Sequence, residues 1–161
     1  MTKQPNSHDC FICGMRNVAG VQVAFYEEPK EDGPTDVVAR FTARQMHQGY
    51  PGRLHGGVIT GVLDETIGRA VNIGEGEAQP AIWGVTADFN LRFHHPVPLD
   101  VELVARGRIT RERKRLFEGT GELYLPDGTV AVTATGKYFK LALDTISDTD
   151  PDALGWRVYE D

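Results

Sequence analysis

The stretch GRLHGGVITGVLDE, residues 52–65, gathers residue types that could act on a carbonyl. His55 is followed by Gly56 and Gly57, and a carboxylate, Asp64, comes seven residues after Gly57. The first N–H groups of a helix have no internal partner and carry the positive end of its dipole. Glycines let a ligand approach them, so His55-Gly56-Gly57 reads as an anion site, or as an oxyanion hole for a carbonyl gaining negative charge under attack. Glycines at a helix start also serve the turn alone. Asp64 offers a general base or a nucleophile, and desolvation would raise its pKa toward the working range.

The element that must position these groups is a helix expected over about 56–73, ending near Gly74. At about 100° per residue, Val58, Ile59, Val62, Leu63, Ile67, Ala70 and Val71 fill an apolar arc. Gly57, Gly61, Asp64 and Gly68 fall together at its edge. A mid-helix glycine costs roughly 0.5–1 kcal/mol relative to alanine. A stripe of them suits something that comes close to the backbone, either a ligand or a second helix. Glu65 projects away from the stripe beside Arg69 and reads as a solvated ion-pair partner. Along one helix Gly57 and Asp64 stand roughly 10 Å apart, whereas a base and an oxyanion donor must both lie ~3 Å from the reacting groups. Two antiparallel helices satisfy both distances. The chain has one such helix, so the second belongs to another copy, and a two-fold dimer with two shared sites follows.

Around the helix the period is two. Strands are expected at 21–27 and 37–43, then, after the helix, at 83–93, 101–112, 115–125 and 130–143. Six strands and one helix define an α+β fold, an antiparallel sheet wrapped over a single helix in the order β-β-α-β-β-β-β. Residues 1–17 read as an irregular N-terminal segment, 18–143 as the domain, and 144–161 as a peripheral acidic tail. On the strand at 83–93 the apolar face is Trp83, Val85, Ala87, Phe89, Leu91 and Phe93, which leaves Thr86 on the opposite parity. Thr86 meets the helix only if the strand bulges or its polar face lines the site; otherwise it is an ordinary strand threonine.

A net charge of −6 argues against nucleic acid or an anionic membrane as partner. No apolar run approaches the ~20 residues of a membrane span, and MTKQPNSHDC lacks the apolar core of a secretory leader. A cytoplasmic protein is expected. RGRITRERKR, 106–115, holds six of the 17 lysines and arginines. It is either a solvated hairpin tip or a phosphate-binding patch, with Arg111, Lys114 and Arg115 as its binding residues. His8, Cys10 and Cys13 form H-x-C-x-x-C. A zinc site usually takes four ligands and the chain has no second pair of cysteines, so no metal is expected and the cysteines read as small packed residues.

HQGYPGRLHGGVITGVLDE, with VTADFNLRFHHPVP after it, CFICG before it and VTATGKYFKL near the end, resembles the hotdog-fold acyl-CoA thioesterases of the PaaI-like branch. The likeness covers roughly residues 10–142. It implies a hotdog fold, a homodimer or a dimer of dimers, and hydrolysis of an acyl-CoA thioester, with no cofactor beyond the coenzyme A of the substrate. It places the acid on Asp64, the carbonyl donor on Gly57 and a water-holding hydroxyl on Thr86. Where many members carry an Asn before the helix, this chain offers His47 and Gln48. It also brings Arg92 and the basic hairpin toward the nucleotide of coenzyme A. Two alternatives stay open: a hotdog hydratase or dehydratase, with His47 in its acid–base role, and a non-catalytic acyl-CoA-binding domain.

Overall fold

The computed structural model describes residues 1–160. Seven strands, β1 (Thr2–Lys3), β2 (Ala24–Glu28), β3 (Asp36–Thr42), β4 (Trp83–Phe93), β5 (Glu102–Glu112), β6 (Leu116–Tyr124) and β7 (Val130–Leu141), form one sheet in the order β1-β2-β3-β5-β6-β7-β4. Every pairing is antiparallel. The helix α1 (Gly56–Gly68) crosses the inner face, and a 3-10 turn, Arg69–Asn72, prolongs it. The expected helix to residue 73 is thus an α-helix with a tightened last turn, closed by Gly74 at φ +87°. This is the hotdog arrangement, with seven strands where six were expected; the extra one is the two-residue β1.

Alternation places the core between helix and sheet. On β6, Phe117 and Leu123 point inward and are fully buried, and Gly119 and Gly121 stand between them. Those glycines, with Gly107 on β5, form a floor on which α1 sits. A Cβ at Gly107 would come within 2.9 Å of the backbone of Thr66 and Ile67, and one at Gly119 within 2.4 Å of the Ile67 side chain. Val62, Leu63 and Ile67 of α1 are fully buried there. Each such side chain contributes about 1.5–3 kcal/mol through burial, so the depth of the helix is tightly set.

Both termini pack onto this body. Gln4, Asn6, Ser7, Ile12 and Cys13 are buried, and Asn6 Nδ2 donates to the carbonyls of Cys13 and Val23 at 2.8 and 2.9 Å. The tail, expected to be peripheral, returns across the N-terminal segment. A backbone bridge joins Asn6 to Arg157, and Trp156 packs edge-on against Trp83 with ring centroids 4.8 Å apart. Among the described residues no helix is long and apolar enough to cross a membrane.

Candidate active site

Asp64 lies half-buried on α1, facing β4 and β7. Thr86 Oγ1 donates to its carboxylate, at 2.8 Å from Oδ1 and 3.0 Å from Oδ2. Tyr138 OH, 3.1 Å from both Oδ1 and the Asp64 carbonyl, donates from the other side. Thr86 reaches the helix because β4 bulges. Thr86 pairs with Tyr138 and Asp88 with Lys137, which leaves Ala87 as the extra residue. The single apolar face expected for this strand is therefore split at the bulge: Gly84 and Thr86 face the helix before it, and Phe89 and Leu91 pack on the core after it.

Burial pushes the Asp64 carboxyl above the usual carboxylate range, against the opposing hydrogen bonds from Thr86 and Tyr138. No ion pair joins Asp64 to a cation among the described residues. Tyr138 is nearly fully buried, its ring stacked on Phe117 at 4.8 Å. Burial and the adjacent Asp64 raise its hydroxyl pKa, so it stays a donor. Sequence reasoning missed Tyr138. Its inward parity on β7 was legible, but the register that brings it to Asp64 was not.

The helix mouth is closed by its own cap. His55 Nδ1 accepts from the Gly57 N–H at 2.8 Å, and the Phe93 ring stands 3.6 Å from where a Gly56 Cβ would be. The glycine stripe is likewise met by the chain itself: at Gly61 a Cβ would lie 2.8 Å from Ile12 Cδ1, and at Gly68 3.3 Å from the Tyr138 ring. The close approach that the stripe accommodates is made by the N-terminal segment and β7, not by a second helix along its whole length.

The remaining residues divide sharply. His47, expected to bind substrate, is buried, with Nδ1 accepting from the Arg44 N–H (3.1 Å) and Nε2 against the Ala19 carbonyl (3.0 Å). Both ring nitrogens are spent on backbone, which makes it a loop anchor. Gln48 Oε1 accepts from the Gly52 N–H within the same loop. Arg92, Arg111, Lys114 and Arg115 are exposed, and no ion pair engages them among the described residues. The basic stretch is divided at the same point: Arg106 pairs with Glu28, and Arg108 bonds buried Asp36 and Glu122.

Glu65 is not the solvated partner expected. Its Oε1 accepts from Arg69 Nε at 2.9 Å, while Arg69, 5% exposed, also donates to the Pro5 carbonyl and lies 4.0 Å from the centroid of the Phe25 ring. Burial pushes the Glu65 carboxyl up, and Arg69 pulls it back. Cys10 and Cys13 reach this pair, with Cys10 Sγ 3.5 Å from Glu65 Oε2. The Cys13 side chain lowers the pKa of the Cys10 thiol, and Cys10 together with burial pushes Cys13 up to about 12. A cavity of about 290 Å³ joins this cluster to Asp64 and Thr86, walled by Tyr138, Trp83 and Trp156.

An antiparallel sheet around one helix, with an acid on that helix bonded to a strand hydroxyl, defines a hotdog protein with a candidate hydrolytic centre. Residues 51–132 match the family model described as Thioesterase superfamily, and the chain belongs to that family. Among curated relatives, acyl-coenzyme A thioesterase THEM4 of Mus musculus is 32% identical over 95 residues, 58% of this chain and 38% of that one. THEM4 of Bos taurus is 29% identical over 132 residues, 81% of this chain and 51% of that one. The chain thus spans about half or less of the length of these relatives. A crystal structure of a thioesterase superfamily protein superposes with a TM-score of 0.67 at 29% identity, covering 81% of this chain and 63% of that chain.

Replacing Tyr138 with Phe keeps the stack on Phe117 and removes one donor from a half-buried carboxylate. Tyr138→Phe is expected to lower the unfolding free energy by about 0.5–1.5 kcal/mol, read as a lower urea midpoint with an unchanged slope. An unchanged midpoint would show that the hydroxyl does not hold Asp64.

Proposed function

We propose that this chain hydrolyses acyl-CoA thioesters to the free acid and CoA, as a member of the PaaI-like branch, in sites that two copies build together. The observation that carries the reading is Asp64: a carboxylate lifted by burial, held by two neutral donors and paired with no cation among the described residues. Binding alone has no need of such a group, which speaks against a purely non-catalytic domain. The hydratase alternative loses its histidine, since His47 is fully engaged with backbone. The name of the THEM4 relatives supports acyl-CoA as the substrate class.

The course of β4 supports a shared site. Thr86 stands beside Asp64, and Phe93 beside Gly56 at the helix mouth, so β4 runs antiparallel to α1. β4 is also an edge strand of 11 residues. A second copy that continues the sheet there, antiparallel and about a two-fold near the strand's middle, brings its own helix mouth opposite Thr86. One copy then supplies the Gly57 N–H to the thioester oxygen and the other supplies Asp64. His55 swings off the Gly57 N–H as the carbonyl enters. Thr86 Oγ1, which donates to Asp64, keeps lone pairs that can accept from a water. Asp64 takes that water's proton as the oxygen attacks, or attacks the carbonyl itself to form an anhydride that water then opens. The oxyanion collapses and CoA leaves as the thiolate. The acyl group enters the cavity beside Asp64, and Arg92, Arg111, Lys114 and Arg115 meet the phosphates of the nucleotide.

Thiol release from a panel of short, medium, long and aryl acyl-CoAs tests the reading. Asp64→Asn is expected to abolish turnover while the oligomer still forms; unchanged hydrolysis would remove Asp64 from the chemistry. Charge reversal at Arg111 and Arg115 is expected to raise KM and leave kcat near its original value, and an equal KM would free the hairpin from any part in binding CoA.

A further inference from the structure

We propose that Cys10, Cys13 and Glu65 bind a zinc ion that clamps the N-terminal segment onto α1, on the wall of the cavity that borders Asp64 and with none of the groups given a part in the proposed thioester chemistry. The donor atoms of these three residues all lie within 4.8 Å of one another. Tetrahedral zinc, with bonds of about 2.3 Å to sulfur and about 2.1 Å to carboxylate oxygen, sets a sulfur and an oxygen about 3.6 Å apart. Cys10 Sγ and Glu65 Oε2 stand 3.5 Å apart.

The backbone is shaped for metal thiolates as well. The N–H groups of Ile12 and Cys13 point at Cys10 Sγ, at 3.3 and 3.5 Å. The N–H of Gly14 turns back to the Cys10 carbonyl at 2.8 Å, and a Cβ at Gly14 would meet that oxygen at 2.3 Å. This C-x-x-C-G knuckle offers amide donors that offset the charge on a sulfur.

Charge closes the case for a dication. Two thiolates and a carboxylate bring −3, zinc brings +2, and the remaining −1 faces one buried cation, Arg69. Arg69 takes Glu65 Oε1 and leaves Oε2 turned to the sulfur. That is the position of an outer partner that orients a monodentate carboxylate. All three donors line the cavity beside Asp64, from which a water completes the four-coordinate set. His8 of the H-x-C-x-x-C string stays outside the cluster, with its ring against Gly155.

The test uses untagged full-length protein purified under reducing, chelator-free conditions. Elemental analysis is expected to find about one zinc per chain, and the Cys10→Ser/Cys13→Ser double variant, folded by circular dichroism, to lose it. Cobalt offered to stripped protein is expected to give thiolate-to-metal absorption and the strong visible bands of a tetrahedral ion. Glu65→Gln is a second variant, expected to weaken zinc uptake at least tenfold. Folded protein that carries no zinc and takes up neither Zn²⁺ nor Co²⁺ would overturn the proposal, as would equal uptake by the double cysteine variant. Thiol release is not the readout, so the outcome is independent of the proposed hydrolysis.

Discussion

The helix lies directly on glycine. Gly107, Gly119 and Gly121 leave no side chains between the sheet and Ile67, and the backbone of α1 descends until it touches the strand. A floor of alanines or valines would lift the rod and draw Asp64 away from Thr86 and Tyr138. The same contact fixes what the rod cannot do. Gly57 and Asp64 ride on one rigid helix roughly 10 Å apart, so no motion within a single copy brings them to one carbonyl. The depth of the helix places the carboxylate, and its stiffness is the reason the proposed reaction is assigned to two copies.

The environment of Asp64 follows from that seating. Below it is Tyr138, buried and stacked on Phe117; beside it is Thr86, turned in by the bulge at Ala87. Both are neutral donors, and they orient the carboxylate without fixing it as a salt bridge would. Next along the helix, Glu65 faces Arg69 and the cysteines instead. Two adjacent acids thus diverge, one toward the β4 edge and the other beneath the N-terminal segment, with a single cavity between them.

Much of this was legible in the sequence. Strand β4 falls at 83–93 as its alternation predicts, and β5, β6 and β7 lie within one or two residues of expectation, because period-two patterning is a direct imprint of a half-buried sheet. Asp64 was legible because a charge interrupts a glycine stripe. The rest depended on contacts between distant segments. Nothing local reveals that Tyr138 reaches Asp64, that Ile12 covers Gly61, or that Trp156 folds back onto Trp83. His47 was misread for the same reason: its partners Arg44 and Ala19 are backbone groups that only the loop's path supplies. Glu65 was read as solvated because an i,i+4 pair with Arg69 looks the same on a surface and under a covering segment.

The most direct test mixes two inactive proteins. Asp64→Asn removes the acid, and Gly57→Pro removes the N–H at the second residue of α1, among the first helical N–H groups that have no partner within the helix. In a mixed dimer of the two, one site carries both defects and the other carries neither if each site draws Asp64 and Gly57 from different copies. Thiol release from acyl-CoA should then return to about half the wild-type rate per dimer. Mixed dimers as silent as either parent would show that the two groups do not serve one bond across the interface.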